Sequence, residues 1–239
     1  MQGYEEIFNQ RGKSYHLAME KYPHARDEEF LAATKRLLQK ENCVILDLPA
    51  GGGYLQRHLK KGVNYLAYDF SGEFNDNHQG IKKCREGRIE LGDESVDEIV
   101  SLAAFHHIAA RQEFYCEMKR ILKPGGRLII GDVVAGGKLD RFLNGFLDTW
   151  NSMGHNGRFI TNNDINNINR CGFKVKFEKD QYFWDFSSQE DAIEFFRLLF
   201  CLDLKPSDQD VIEAFQELGV RESKRYLIAW ELGFLTCEK

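Results

Sequence analysis

The sequence predicts an α/β protein with a doubly wound, mostly parallel sheet of seven strands and a helical lid. From Cys43 onward, short apolar runs alternate with amphipathic segments, which is the pattern of a parallel sheet covered by helices on both faces. The first apolar run ends at Asp47 and is followed by Gly51, Gly52 and Gly53, as expected for a tight strand-to-helix turn. Right-handed crossovers between such strands produce a doubly wound sheet.

The elements up to Asp132 follow from this alternation. Residues 1–40 carry apolar positions at three- and four-residue spacing, which predicts two helices, with Pro23 at the start of the second. The predicted strands are "CVILDL", "NYLAYDF", "VDEIVSLAAF" and "GRLIIGDVV". The predicted helices between them are "YLQRHLKK" and "ARQEFYCEMKRIL".

After Asp132 the regular alternation is interrupted by additional helices. Helical spacing recurs in "KLDRFLNGFLDTWNSMG", "TNNDINNINRCGF", "QEDAIEFFRLLFCL" and "SDQDVIEAFQELG". "KVKFEKDQYFWDF" is typical of one or two strands, and "KRYLIAWELGFLT" is typical of a final strand. We expect residues 1–40 to form a lid on a domain of residues 41–239, with inserted cap helices around 138–170 and 187–220. Lid and cap would cover the carboxyl ends of the strands, where open α/β sheets bind ligands.

Charge and composition exclude several classes of partner. The net charge of −5 disfavours a general grip on nucleic acid phosphates. The opening segment has no apolar core, and no apolar run is long enough to cross a membrane, so we expect a cytoplasmic protein without a membrane partner. The 6 cysteines show neither CxxC nor zinc-type spacing, which indicates free thiols and no metal site.

The glycine-rich turn discriminates between three kinds of ligand. A phosphate loop of the NTPase kind needs a Gly-Lys-Ser/Thr sequence, which is absent. A dinucleotide loop needs a small residue at its third conserved position, where this chain has Gln56. Asp47, at the end of the first strand, would repel a pyrophosphate. A nicotinamide-dependent oxidoreductase is therefore the weaker interpretation.

A second carboxylate favours a cationic nucleoside. Asp69 ends the second predicted strand, where an acidic side chain can accept both hydroxyls of a ribose. A nucleoside with a positive group and no phosphate suits Asp47 and Asp69 together, and S-adenosylmethionine (SAM) is such a ligand. Alternatively, Asp47 could cap the following helix and the glycines could form a simple turn.

Three motifs in order resemble those of the class I SAM-dependent methyltransferases. They are "DLPAGGG", "DESVDEIVSLAAFHHI" and "MKRILKPGGRLIIGD", similar respectively to the family's glycine loop, its fourth-strand motif and its Lys-Pro-Gly-Gly turn before the fifth strand. The resemblance implies a Rossmann-like methyltransferase fold, SAM as cofactor, and an enzyme that transfers a methyl group. Pro49 departs from the family pattern because it replaces the first glycine of the loop.

The candidate site residues fall into three groups. The predicted cofactor-binding residues are Asp47, Pro49, Ala50, Gly51, Gly53, Asp69, Phe70, Ala103 and Arg26, with Arg26 a candidate for the methionine carboxylate. The candidate catalytic residues are His106, His107 and Asp132, because a histidine at a strand end could accept a proton and an aspartate could orient it. Either histidine could instead shape the turn. The candidate substrate residues are Tyr15, His16 and His155, and Arg11 lies on the same lid as the first two.

The acceptor is expected to be a small, partly apolar molecule, free or bound to a carrier, with an oxygen, nitrogen or carbon nucleophile. The aromatic residues, Phe 18, Tyr 9 and Trp 3, exceed what the core alone requires and favour an apolar pocket over a nucleic-acid surface. A SAM-binding accessory protein without catalysis and a SAM-dependent transferase of another group stay open as alternatives. The adenine contact, with Glu86 as one candidate, and the oligomeric state stay open as well.

Overall fold

The strands and helices account for most of the chain. The structure is a computed structural model that describes residues 3–74 and 80–239, so Met1 and Gln2 of the predicted lid lie outside the described residues. The strands are β1 Val44–Asp47, β2 Asn64–Asp69, β3 Ile81–Lys83, β4 Val96–Leu102, β5 Leu122–Asp132, β6 Lys174–Phe186, β7 Val220–Glu222 and β8 Tyr226–Glu238. The helices are α1 Tyr4–Lys21, α2 Asp27–Thr34, α3 Arg111–Ile121, α4 in three adjoining pieces (Lys138–Arg141, Phe142–Leu147 and Asp148–Trp150), α5 Asn162–Arg170, α6 Gln189–Leu199 and α7 Asp208–Leu218.

The sheet confirms the predicted fold class. Its strand order is β3-β2-β1-β4-β5-β8-β6, and β7 pairs with β8. Strands β1 to β5 pair with one another in parallel. Strand β8 runs antiparallel to β5, β6 and β7. The described residues thus form eight strands where seven were expected, because "KVKFEKDQYFWDF" forms the single strand β6 and the short strands β3 and β7 were not predicted. The order reverses between β1 and β4, which is where sheets of this kind hold their ligands.

Both faces of the sheet are buried, as a parallel sheet requires. Ile45 of β1 faces one apolar cluster and its neighbour Leu46 faces the other, because successive side chains alternate across a strand. Helix α1 packs against α6, and α2 packs against β6. These contacts bring α1 and α2 to the edge where β1, β2, β4 and β5 end.

Two local predictions need correction. The segment "YLQRHLKK" does not form an α-helix but a short 3₁₀ turn, Tyr54–His58, and the chain is extended again at Leu59. Only Leu55 is buried in this turn, while Arg57 and His58 reach across to Asp27, so a longer helix would have little apolar surface to bury.

The Lys-Pro-Gly-Gly turn is also placed differently, since it lies within β5. Leu122 pairs with Val96 and Arg127 pairs with Glu98, so residues 123–126 bulge out of the ladder. Gly125 has φ +74°, a conformation that favours glycine. The predicted turn is therefore present, but β5 begins before it.

Two further features concern the chain as a whole. All 6 cysteines lie in the described ranges and are free thiols, as the sequence predicted. Within residues 3–74 and 80–239, no helix combines the length and the apolar character that crossing a membrane demands.

Candidate active site

A cavity at the carboxyl ends of β1, β4 and β5 brings most of the predicted site residues together. It is lined by the predicted residues Asp47, Pro49, Ala50, Gly51, Ala103, Arg26, Tyr15, His106, His107, Asp132 and His155. The predicted residues Gly53, Asp69, Phe70 and His16 do not line it. Asp69 and Phe70 lie behind Tyr4, whose hydroxyl contacts Asp69 and whose ring packs against Phe70. His16 instead bonds to Tyr54 and pairs with Glu20.

The glycine loop turns sharply enough to expose its main chain to the cavity. Gly51 has φ +54° and Gly53 has φ +72°, both in the left-handed region that side chains disfavour. The Gly51 N–H donates to Asp69 Oδ2 at 2.7 Å, which ties the loop to the end of β2. The 3₁₀ turn that follows has no side-chain cap, so the alternative role of Asp47 as a cap is wrong.

Asp47 and Asp69 are buried carboxylates without a cationic partner among the described residues. Asp47 accepts a hydrogen bond from the Tyr65 hydroxyl at 2.7 Å, and burial raises the pKa of Asp47 to about 7. Asp69 accepts from the Tyr4 hydroxyl at 3.0 Å and from the Ser71 N–H at 2.8 Å. Burial also raises the pKa of Asp69 to about 7, because desolvation outweighs these hydrogen bonds. We call Asp47 and Gly51, together with Asp69, which bonds to Gly51 from outside the cavity lining, the carboxylate end of the cavity.

One face of α1 lines the cavity from the carboxylate end to the opposite end. Tyr4, Phe8, Arg11 and Tyr15 line it, and their spacing of four, three and four residues places them on one side of a helix. Tyr4 reaches Asp69 at one end, and Arg11 donates from Nη2 to the Gly154 carbonyl oxygen at 2.9 Å at the other. Tyr4 and Phe8 were not among the predicted site residues, although their helical spacing places them on the same face as Arg11 and Tyr15.

Arg26 is already neutralised by a buried carboxylate. Its Nη2 lies 2.6 Å from Glu29 Oε1, and its Nη1 donates to the Tyr15 hydroxyl at 2.8 Å. Burial disfavours the charge of Arg26, but Glu29 outweighs this and raises the pKa of Arg26. The Trp184 indole N–H also donates to Glu29, at 2.8 Å. Arg26 thus orients Tyr15 at the cavity wall, and its binding of a methionine carboxylate stays a prediction.

His106 and Asp132 form a hydrogen-bonded dyad at the opposite end. His106 Nδ1 lies 2.8 Å from Asp132 Oδ1 and 3.0 Å from Oδ2. The His106 and Val133 backbone N–H groups also donate to this carboxylate, at 2.8 and 2.7 Å. Because Nδ1 donates to Asp132, the unprotonated Nε2 of the neutral ring is left as an acceptor. The two residues come from the end of β5 and the 3₁₀ turn Phe105–His107 after β4.

His107 and His155 complete a cluster of three histidine rings. The His107 and His155 ring centroids lie 4.0 and 5.4 Å from that of His106. Burial, followed by the neighbouring histidines and Arg11, lowers the pKa of His107 and of His155. His155 Nδ1 is hydrogen-bonded to Asn144 Oδ1 at 3.0 Å. We call these three histidines and Arg11 the histidine end of the cavity.

Apolar side chains form the wall between and above the two ends. Trp184 and Trp230 stack with ring centroids 3.7 Å apart and planes 18° apart, and both line the cavity together with Leu143, Leu199 and Phe200. Phe195 and Phe196, close to Phe200 in the sequence, are instead fully buried in the core. Glu86, the candidate for the adenine contact, accepts a hydrogen bond from the Ala110 N–H just before α3.

The carboxylate end fits SAM. Gly51 offers main chain in a conformation that side chains disfavour, and Asp47 presents a buried carboxylate that has no cationic partner in the described chain. The sulfonium of SAM would supply the missing positive charge, and SAM has no phosphate group for these carboxylates to repel.

Comparison with known proteins gives the same indication. A family model described as a methyltransferase domain matches residues 46–130. Methyltransferase GfsG of Streptomyces halstedii is 40% identical over 52 residues, 22% of this chain and 19% of that protein. An uncharacterized methyltransferase of Schizosaccharomyces pombe is 29% identical over 129 residues, 46% of this chain and 45% of that protein. The matched segments thus cover less than half of either relative.

Solved structures share the fold at low identity. A SAM-dependent methyltransferase of Thermotoga maritima, named as a possible histamine N-methyltransferase, aligns with a TM-score of 0.62 and 17% identity over 98% of this chain and 99% of that chain. A phosphoethanolamine N-methyltransferase of Haemonchus contortus, solved with phosphomonomethylethanolamine and S-adenosylhomocysteine, aligns with a TM-score of 0.63 and 15% identity over 100% of this chain and 60% of that chain. Residues 46–130 therefore match a methyltransferase domain, the chain shares the fold of SAM-dependent methyltransferases, and both findings indicate SAM as the cofactor.

Proposed function

We propose that the protein transfers the methyl group of SAM to a hydroxyl of a small, partly apolar acceptor, free or carrier-bound. The His106–Asp132 dyad at the cavity is the observation that carries this proposal. A hydroxyl must lose its proton as it is methylated, whereas a neutral amine reacts through its lone pair, so a built base favours an oxygen acceptor. The aromatic wall formed by Trp184 and Trp230 suits an apolar body.

The residues would share the chemistry in a simple way. When bound, SAM supplies a methyl group already activated by its sulfonium. Nε2 of His106 takes the proton of the acceptor hydroxyl, while Asp132 holds the ring in the required tautomer and stabilises its positive charge. The main task of the cavity is then to orient the acceptor oxygen and to exclude water. His107 and His155 stay neutral and form part of the wall at the histidine end, where the acceptor would bind.

The carboxylate end is proposed to hold the cofactor. Asp69 would accept the two ribose hydroxyls, Gly51 would let the cofactor approach the main chain, and Asp47 would face the positive half of the ligand. The Tyr4 hydroxyl occupies Asp69 Oδ2 and must yield this position. We therefore also propose that residues 1–40 act as a lid, as the sequence suggested. Separately, we keep the proposal from the sequence that the protein works in the cytoplasm.

The first experiment tests cofactor binding. The full chain is purified, denatured and examined by mass spectrometry for co-purified SAM or S-adenosylhomocysteine, and both nucleosides and NAD are then titrated by calorimetry. We expect binding of the two SAM-type nucleosides and none of NAD. Binding of NAD instead would contradict the proposal and favour an oxidoreductase.

The second experiment tests turnover. Labelled SAM is incubated with a panel of phenols, aliphatic alcohols, amines and thiols, and product is detected together with S-adenosylhomocysteine. We expect methylated hydroxyl compounds. Methylation confined to amines or thiols would contradict the oxygen acceptor, and cofactor binding without any product would favour the accessory role.

A further inference from the structure

Arg11 is a buried cation without a counter-ion in the described chain. Its exposed fraction is 6%, and among residues 3–74 and 80–239 no carboxylate lies within the ion-pair distance of 4.0 Å. Nη2 donates to the Gly154 carbonyl, but the buried Nε has no hydrogen-bond partner. A guanidinium has five N–H donors, so most of its capacity is unused. Such an uncompensated charge is costly for a fold to keep.

The acidic groups that could balance Arg11 are engaged elsewhere. Asp203 accepts hydrogen bonds from both the N–H and the hydroxyl of Ser152. Burial lowers the pKa of Arg11, and Cys201 and Asp203 offset this only in part. At the cavity itself, Asp132 is fully occupied by His106 and Val133. Arg11 therefore lines the cavity with a positive charge that Asp203 balances only in part and that no described carboxylate neutralises as an ion pair.

The surroundings of Arg11 favour an anionic ligand over a metal ion. Ligand atoms of His106, His107 and His155 lie within 4.8 Å of one another, an arrangement that could hold a cation. The charge of Arg11, however, acts on both His107 and His155 and already opposes their protonation. The same field opposes a divalent cation and attracts an anion.

We propose that the acceptor carries a carboxylate or phosphate group that pairs with Arg11 at the histidine end. This inference rests on the proposed function and names the class of its substrate. The planar guanidinium matches the two oxygens of either group. With the anion at Arg11, the apolar body lies against the tryptophan wall, and the hydroxyl to be methylated points toward Nε2 of His106.

The experiment compares charged and neutral probes. The full chain, with and without saturating S-adenosylhomocysteine, is titrated by calorimetry with benzoate and phenyl phosphate and with the neutral benzamide and benzyl alcohol. We expect an anion to bind at least about tenfold more tightly than its neutral counterpart, the advantage of a charge-assisted pair. Arg11→Met should abolish this preference and Arg11→Lys should keep part of it. Arg170→Met, at an exposed arginine in α5, is the matched control.

Four outcomes would overturn the inference. They are equal binding of charged and neutral probes, an unchanged preference in Arg11→Met, loss of S-adenosylhomocysteine affinity in that variant, and stoichiometric zinc that His155→Ala releases. The third outcome would assign Arg11 to the methionine carboxylate, and the fourth would make the cluster a cation site.

A stability measurement separates a binding role from a structural one. Because Arg11→Met removes an unbalanced buried charge, its melting temperature should equal or exceed that of the wild type. A clear fall would show that Arg11 holds the fold together and would also overturn the inference. Failure of the proposed function would be seen separately, as absence of SAM-type nucleoside binding by the wild-type protein.

Discussion

The two ends of the cavity are opposite in chemistry but alike in state. At the carboxylate end, Asp47 and Asp69 are buried acids whose ionisation is disfavoured. At the histidine end, His107 and His155 are buried bases whose protonation is disfavoured. In the free protein, burial therefore favours the neutral form of both pairs. The cavity is thus polarised, with room for a cation beside β1 and β2 and for an anion beside β4 and β5.

The largest effect should come from the dyad. His106→Asn removes the proton acceptor, so turnover of a hydroxyl acceptor should fall by about 10²- to 10⁴-fold, while S-adenosylhomocysteine affinity stays unchanged. Steady-state kinetics and calorimetry measure the two quantities. His24→Asn, at an exposed histidine of the lid, is the control. Wild-type turnover in His106→Asn would show that His106 does not act as the base. The chemical contrast drawn between the histidine end and the carboxylate end would then fail.

A smaller loss is expected at the carboxylate end. Asp69→Ala should weaken SAM binding by about 10- to 100-fold, the value of charge-assisted hydrogen bonds worth about 1.5–3 kcal/mol. Titration calorimetry measures the change, with the exposed Asp93→Ala as control. Unchanged affinity would mean that the ribose binds elsewhere.

Acidity should affect the carboxylate end in a defined direction. Below pH 7 the free protein holds protons on Asp47 and Asp69, because the pKa of each is raised to about 7. A cationic ligand that accepts only the ionised form must displace these protons, so SAM affinity should rise from pH 6 to pH 7 by up to about tenfold per carboxylate and level off above pH 7. In Asp47→Asn, the increase of SAM affinity between pH 6 and pH 7 should be smaller than in the wild type. Identical pH profiles for variant and wild type would show that Asp47 does not face the ligand charge.

The smallest effect concerns the lid. Tyr4→Phe removes the hydroxyl that occupies Asp69, so SAM affinity should increase by about three- to tenfold, as expected for about 0.5–1.5 kcal/mol per hydrogen bond. Calorimetry again decides, and Tyr22→Phe, which loses a hydroxyl contact to Glu194 outside the cavity, is the control. A decrease in affinity would instead make the Tyr4 hydroxyl a direct ligand contact.

The sequence predicted the parts of the site that depend on short-range signals. Glycine is the residue for positive φ, so the loop geometry at Gly51 and Gly53 could be anticipated. Parallel strands end at one edge, which placed Asp47 and Asp132 at a common cavity. The methyltransferase domain and the SAM cofactor were predicted from motifs in this same region, where the methyltransferase-domain model matches.

The remaining features depend on long-range packing. The contact of Tyr4 with Asp69 needs the position of α1 on the sheet, and the Trp184–Trp230 stack needs the register of β6 on β8. Neither follows from local spacing. The capture of Arg26 by Glu29, three residues along, could have been anticipated as a helical pair. The short turn Tyr54–His58 shows the reverse case, in which periodicity suggested more helix than the core could use.

Because one face of α1 contributes side chains to both ends of the cavity, the opening of the two ends would be coupled. Tyr4, Phe8, Arg11 and Tyr15 belong to one helix, and a helix moves as one piece. If residues 1–40 act as the proposed lid, displacing α1 to admit or discharge either ligand would expose both ends of the cavity to water together. Spent cofactor and methylated product would therefore escape during the same opening event, and the pace of that event would set an upper bound on the rate of the cycle.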